Sequence, residues 1–347
     1  VTLTRSTDGA IGTDGDLTDR GDEPGGQSTG SARWHLRHLL DVDVLTRAEL
    51  EMVMQRAGSL AAMSPEARPR EFAGRTVATL FAEASTRTRV SFELASRALG
   101  ADVVSLDAAT SSLTKGESLV DTVRTLEALG ASSLVIRHPR SGAAQLASEH
   151  FSGHVINAGD GWHAHPTQAL LDLYTLRESL GAEHLAGAKV LIVGDVLHSR
   201  VARSNVWALT ATGMDVWLSG PPIFLRGFEG WARAMPSDRR LTVTSDLAAG
   251  LKDAAAVMAL RVQRERLEGA GAPSEAAYAA RWGLSEERIR AHAPSAIVMH
   301  PGPVNEGVEI TPELAAGPRS RINRQVANGV TVRMAVLSLL RSTDVDR

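Results

Sequence analysis

Residues 75–90, RTVATLFAEASTRTRV, decide how this chain folds. Apart from Arg75, the run to Phe81 is apolar or β-branched and reads as a buried strand. A short turn follows, and Ser85 opens a helix that runs to Leu99, with Gly100 past its end. The first N–H groups of a helix have no partner within it, and the helix dipole favours an anion there. Ser85, Thr86, Arg87, Thr88 and Arg89 add hydroxyls and guanidiniums suited to phosphate oxygens. A lone Ser-Thr-Arg triplet would read as an ordinary N-cap with solvent-facing arginines. Five consecutive phosphate-competent residues at a strand-to-helix turn favour an anion site.

Outward from this unit, short apolar runs recur at 102–106, 132–136, 154–157, 189–193, 214–218, 241–244, 255–260 and 296–299. Helical stretches separate them, several closed by glycine at Gly100, Gly130, Gly181 and Gly213. Thr46 and Glu49 form a capping box opening an amphipathic helix through about Met63. Pro166 sits at a first-turn position of a helix to residue 180, the natural bridge between two halves, and a last helix covers about 323–341. Strand–helix alternation predicts parallel sheets covered on both faces. The expected fold is therefore α/β: two doubly wound domains with parallel sheets, linked by helices, with an active site in the cleft between them. The expected boundaries are a disordered tail over 1–33, a first domain over 34–168, a second over 169–322, and a C-terminal helix, 323–347, returning to the first. The tail reads as disordered because Ile11 and Leu17 are the only large apolar residues between Asp8 and Gly30.

Composition narrows the function. A length of 347 residues suits two cores, and 22% charged with 43% apolar residues is usual for a soluble protein. A net charge of -3 gives no global field for nucleic acid or anionic membrane. Cysteine is absent, which excludes disulfides, thiolate metal sites and a cysteine nucleophile. No apolar run approaches a membrane span, and the first residues lack the apolar stretch of a secretory signal, so a cytoplasmic protein is expected.

Six further segments carry chemistry. Ser111-Ser112-Leu113-Thr114-Lys115-Gly116-Glu117 is a polar loop before a helix, by itself a weak signal. Arg137-His138-Pro139 follows a strand, where ligands of open parallel sheets gather, and His138 reads as structural. Asp160, His163 and His165 invite a metal reading, but no other His, Asp or Glu completes a closed site. His165 and Gln168, next to a helix start, read better as partners of a small polar ligand. Gly194-Asp195-Val196-Leu197-His198-Ser199-Arg200 lacks the second and third glycines of a dinucleotide fingerprint, which disfavours a dehydrogenase. Arg200 instead sits near a helix start, where a carboxylate is gripped. Arg261-Val262-Gln263-Arg264-Glu265-Arg266 and His300-Pro301-Gly302-Pro303 again follow strands. Arg87, Lys115, Arg137, Arg200 and Arg261 together predict a local positive pocket for a small polyanionic ligand.

These motifs, in this order and spacing, resemble the aspartate and ornithine carbamoyltransferase family from about residue 34 to residue 340. Ornithine enzymes typically carry His-Cys-Leu-Pro and Asp-x-x-x-Ser-Met-Gly; here the corresponding places hold His300-Pro301-Gly302-Pro303 and Arg261-Val262-Gln263, which look like the aspartate branch. The resemblance implies transfer of a carbamoyl group from carbamoyl phosphate to aspartate, an early step of de novo pyrimidine synthesis, with the first domain binding the donor and the second the acceptor. It implies that Ser85, Thr86, Arg87 and Thr88 bind the phosphate, that Arg137, His165 and Thr88 polarise the carbamoyl oxygen, and that Gln168 meets the amino group. Backbone carbonyls around Gly302 and Pro303 orient the amines, and Arg200, Arg261 and Gln263 hold the acceptor carboxylates. Ser111 and Lys115 would reach into the neighbouring subunit's site, which implies a homotrimer compatible with regulatory or pathway partners. Glu83 would pair with Arg200 and Arg266 when the domains close. No cofactor and no metal are implied. Two residues depart from the family: Ala84 stands where a proline usually precedes Ser85, and Gly302 where a leucine usually precedes the second proline. The rivals are the same transfer to ornithine or a related acceptor, and a non-catalytic anion-binding scaffold.

Overall fold

The computed structural model describes residues 33–107, 116–263 and 273–344. The tail expected over 1–33, the segment with Ser111 and Lys115, and Arg266 lie outside these residues, Arg33 excepted.

The first sheet is built from β1 (Thr76–Phe81), β2 (Asp102–Asp107), β3 (Ala131–His138) and β4 (His154–Asp160), all parallel, in the order β2-β1-β3-β4. The second contains β5 (Lys189–Val193), β6 (Asp215–Ser219), β7 (Arg240–Thr244), β8 (Ala256–Ala259) and β9 (Ile297–Met299), again all parallel, in the order β7-β6-β5-β8-β9. Helices α1 (Arg47–Ala62), α2 (Thr86–Ala98), α3 (Leu119–Ala128) and α4 (Ala143–Ser148) accompany the first sheet. Then come α5 (Pro166–Leu180), α6 (Arg200–Ala211), α7 (Phe228–Ala234), α8 (Leu247–Leu251), α9 (Glu275–Trp282), α10 (Glu286–His292), α11 (Pro312–Ala316) and α12 (Ile322–Ser342). The architecture is the expected one of two parallel-sheet α/β halves. No helix among the described residues is long and apolar enough to cross a membrane.

Alternation along the strands explains the layers. In β1, Val77 and Phe81 face one apolar cluster while Ala78 and Leu80 face another. In β5, Val190 and Ile192 join the first of these, and Leu191 and Val193 a third. One cluster therefore runs through both halves, carried by α5, α6 and α12, and each sheet has a second core on its outer face. The capping box of α1 is present: Thr46 N–H donates to the Glu49 carboxylate at 2.9 Å, and Glu49 N–H to the Thr46 hydroxyl at 3.2 Å. Helix α12 returns to pack on α1, α2 and α5.

Two strands outrun their apolar stretches. β3 continues to His138 and β4 to Asp160, because backbone pairing persists where the side chains turn polar: Phe81 lies opposite Arg137, and His138 opposite Asp160. Those polar ends matter for the site. In the first sheet β1 lies between β2 and β3; in the second, β5 lies between β6 and β8. Strand order reverses at these two points, where the diverging loops of an α/β sheet leave a crevice.

Candidate active site

The loops at both switch points open onto one cleft of about 570 Å³. Its wall includes the turn after β1, Arg137 at the end of β3, and His165 with Gln168 at the start of α5. The loop after β5 contributes Ser199 and Arg200, and that after β8 Arg261 and Gln263. The turn 300–303 after β9 and the α12 residues Gln325 and Arg333 complete it.

At the start of α2, Ser85 is the N-cap residue, yet no side chain caps the helix. Its hydroxyl bonds that of Thr88 at 3.0 Å instead, leaving the first N–H groups of the helix turned to the cleft. Arg87 is exposed, with no hydrogen bond or ion pair among the described residues. Its guanidinium rests against Gly302, whose φ is +68° and where an added Cβ would stand 3.0 Å from Arg87 Cζ. A leucine at this position would have to displace that guanidinium, so the departure from the family pattern has a local reason.

Glu83 gathers two of the cations. Arg137 Nη2 donates to it at 2.5 Å, and Arg200 donates through Nη1 at 3.0 Å and through Nη2. Partial burial would raise the Glu83 carboxyl, but Arg200 and Arg137 hold it below the ordinary glutamate value. Arg200 also donates to the Gly161 carbonyl at 3.1 Å, and Arg137 to that of Ala158 at 3.3 Å. The expected partner Arg266 lies outside the described residues; Arg137 is a partner that sequence reasoning did not anticipate.

His165 is buried, and its Nδ1 has no hydrogen-bond partner among the described residues. Burial pushes the imidazole well below its usual value, and Arg137, Arg200 and Arg333 push further, so the ring is neutral at physiological pH. One turn into α5, Gln168 donates to the buried Asp172 at 2.9 Å. Asp172 also accepts from Asn205 at 2.8 Å and from Gln325 at 2.7 Å, and Gln325 in turn accepts the His300 N–H at 3.0 Å. This buried carboxylate thus fixes Gln168 and tethers the 300–303 turn. Burial raises it to about 6, against the donors that lower it.

On the second sheet's side of the cleft, Gln263 N–H donates to Asp195 at 3.3 Å and its side chain to the His198 carbonyl at 3.0 Å. His198 and Asp195 are themselves paired at 2.8 Å. Arg200 begins α6 directly after its N-cap Ser199.

The cleft brings together Ser85, Thr86, Arg87, Thr88, Arg137, His165, Gln168, Arg200, Arg261, Gln263, Gly302 and Pro303; Ser111 and Lys115 lie outside the described residues. Asp160 and His163 do not join it. Asp160 accepts from the Gly142 and Ala164 N–H groups and from Asn157, and pairs with His163, as a structural carboxylate does. No group of three or more His, Cys, Asp or Glu able to hold a metal ion occurs among the described residues. His138 Nδ1 accepts the Arg140 N–H at 3.0 Å, a structural role. Sequence reasoning missed Arg333 and Gln325; a charged residue within the apolar run 332–337 of the last helix was the available signal.

This geometry has known counterparts. The model of the aspartate/ornithine carbamoyltransferase carbamoyl-P binding domain matches residues 37–178, and that of the family's Asp/Orn binding domain matches residues 186–340. The chain belongs to the aspartate/ornithine carbamoyltransferase family. Among curated carbamoyltransferases of this family, the aspartate carbamoyltransferase catalytic subunit of Roseiflexus sp. (strain RS-1) is 50% identical over 310 residues, 89% of this chain and 96% of the relative. That of Salinispora arenicola (strain CNS-205) is 52% identical over 308 residues, 88% of this chain and 98% of the relative. Solved carbamoyltransferase structures agree. Aspartate transcarbamoylase from Trypanosoma cruzi in complex with aspartate and phosphate superposes with a TM-score of 0.75 at 29% identity, covering 86% of this chain and 92% of that one. The catalytic subunit of M. jannaschii aspartate transcarbamoylase gives 0.73 at 30% identity, covering 90% and 99%.

Proposed function

We propose that this carbamoyltransferase moves the carbamoyl group of carbamoyl phosphate to the amino group of L-aspartate, releasing N-carbamoyl-L-aspartate and phosphate, an early step of de novo pyrimidine synthesis. The observation that carries the proposal is the meeting of two cationic sets in one cleft: the uncapped helix start with Arg87 and Arg137 on the first sheet, and Arg200 with Arg261 on the second. One set suits a phosphate and the other a pair of carboxylates. Half-identical relatives named aspartate carbamoyltransferase support the choice of acceptor.

In this reading Ser85, Thr86, Arg87 and Thr88 hold the phosphate together with the free N–H groups of α2. Arg137, Thr88 and neutral His165 donate to the carbamoyl oxygen, and Gln168, braced by Asp172, meets its amino group. Carbonyls of the turn at Gly302 and Pro303 orient the amines, while Arg200, Arg261 and Gln263, with Lys115 of a neighbouring subunit, grip aspartate. The amine attacks the carbamoyl carbon to give a tetrahedral oxyanion. The carbon–oxygen bond to phosphate then breaks, phosphate leaves with the electron pair, and one of its oxygens takes the amine proton. The rate comes from orienting two anions that repel each other in water, and from donors already aimed at the developing oxyanion. Glu83 engages both Arg137 and Arg200, so bound anions compete with it for these guanidiniums.

The same reading places Ser111 and Lys115 in a neighbour's site within a cytoplasmic homotrimer. Exposed Val104 on the edge strand β2, and exposed Val90 and Leu94 on the adjoining α2, support a subunit contact on this face. The deciding experiment supplies radiolabelled carbamoyl phosphate with aspartate and ornithine side by side. Labelled carbamoyl-aspartate is expected; product with ornithine alone overturns the acceptor, and no transfer to either overturns the proposal.

A further inference from the structure

Arg333 is the most expensively placed charge in the cleft. It lies in the middle of α12, 3% exposed, and its Nε is buried with no hydrogen-bond partner. It forms no ion pair among the described residues, although charges are seldom taken out of water without a counterion. Among the described residues, packing holds the guanidinium. Its Cζ stands 4.9 Å from the centre of the Phe92 ring on α2, a cation–π contact. Its Nη1 folds back over Gly329, one turn earlier, where an added Cβ would come within 2.4 Å of it. Leu171 of α5 closes the other side of that notch. Seated so, the guanidinium lines the cleft that also holds Thr88, Arg137 and His165. The acid whose charge acts on it is Asp172, already engaged by three amide donors. Burial lowers Arg333 to about 9, Arg137 adds to that and Asp172 opposes it, so the group remains charged at neutral pH.

A largely buried cation beside Arg137, whose guanidinium borders a cavity, is suited to the anion that the cavity receives. We propose that Arg333, seated in the Gly329 notch, is an anion-positioning residue of the cleft that draws the phosphate end of the donor to its floor. The proposal rests on the donor assignment made above. Its positive field acts through the space that Thr88, Arg137 and His165 share, and its counterion arrives with the substrate.

The test uses the full chain with Arg333→Met, which keeps length and apolar packing, Arg333→Lys, which keeps the charge, and Gly329→Ala, which fills the notch. Inorganic phosphate binding is measured by calorimetry on the unliganded protein, alongside KM for carbamoyl phosphate and for aspartate and the thermal midpoint. Arg333→Met is expected to weaken phosphate roughly tenfold or more and to raise the donor KM in step, with the aspartate KM at saturating donor little changed. Its unliganded midpoint should be unchanged or higher, because a desolvated charge has been replaced by an apolar chain of similar volume. Arg333→Lys should recover part of the affinity. Gly329→Ala should weaken phosphate although alanine in mid-helix otherwise stabilises. Phosphate affinity within about twofold of wild type in Arg333→Met overturns the proposal, as does a lower midpoint accompanied by equal loss in both KM values. A wild-type protein that binds phosphate but carbamoylates neither amino acid defeats the functional reading while leaving the phosphate comparison to decide this one; a wild-type protein that binds no phosphate defeats both.

Discussion

Glu83, just past the first strand, receives both terminal nitrogens of Arg200, the first residue of the helix after the fifth strand, with Nη1 at 3.0 Å from Oε2. One residue at each switch point thus ties the two sheets together across the cleft. Replacing Glu83 by Gln should cost about 2 kcal/mol near neutral pH, since two arginines lose an ionised acceptor in a partly buried place. The folded carboxyl lies below its ordinary value, so its contribution is complete above about pH 4.3 and disappears as pH falls through the lower folded value. Denaturant unfolding of both proteins at about pH 7 and about pH 3 should show the gap closing on acidification. A gap that is constant with pH would contradict this account.

Arg87 should be dispensable for folding and indispensable for turnover. It makes no hydrogen bond or ion pair among the described residues, and its guanidinium rests against Gly302. Arg87→Ala should therefore keep its thermal midpoint while kcat/KM falls by roughly a hundredfold to a thousandfold. Near-normal activity would remove Arg87 from the phosphate assignment.

Asp172→Asn tests the buried hub. The folded carboxyl sits at about 6, above its unfolded value, so the folded state takes up the proton first and stability falls as pH rises from about 4 through about 6. The loss from this one group is about 3 kcal/mol across that window, and the variant should lack it. Gln168 and Gln325 share one carboxylate oxygen and Asn205 holds the other, so an amide cannot serve all three. Turnover should drop roughly tenfold to a hundredfold as Gln168 loses its orientation. Wild-type turnover together with a wild-type pH–stability curve would refute the role.

His165 should stay neutral where free histidine titrates. Buried and faced by Arg137, Arg200 and Arg333, its folded pKa lies well below the ordinary value. The unfolded chain takes up a proton near pH 6.5 that the folded protein refuses, so stability from this group is complete above about 6.5 and is lost as pH falls below it. NMR of ring-labelled histidine should show one imidazole unprotonated down to about pH 5.5, absent in His165→Gln. Titration of that resonance near 6.5 would overturn the picture.

The proposed sharing of sites between subunits predicts complementation. An inactive Lys115 variant mixed with an inactive Arg87 variant should regain activity on subunit exchange, since some sites then draw both residues from intact copies. Exchange confirmed by mass spectrometry with no recovered activity would argue that each site is built within one chain.

Much of this molecule was legible in its sequence because parallel strands buried on both faces announce themselves as apolar runs, and because loops at strand ends are where parallel sheets put function. The turn at Ser85, Arg137 near the end of its strand, and Arg200 after the next sheet's first strand could all be placed that way. The strand ends could not: β3 and β4 continue through Arg137, His138 and Asp160 because backbone pairing is indifferent to side-chain polarity. Arg333 and Gln325 were also out of reach. Periodicity reports which face of a helix turns inward, and the last helix has an inward face; it does not report that one inward residue is a guanidinium bordering a cavity. The donors to Asp172 lie as far as 153 residues away in sequence, a distance no local pattern spans.

The return of α12 to α1, α2 and α5 also sets a clock on biosynthesis. A nascent chain that has emerged only as far as α11 already carries the phosphate turn, the neutral histidine and the arginines of the second sheet, yet the apolar faces of three helices still wait for their cover. Ribosomes that stop early would release polypeptides with every loop of the cleft and an open greasy seam, which chaperones and proteases recognise. Competence therefore arrives only once the twenty-one residues of α12 have emerged to cover that seam.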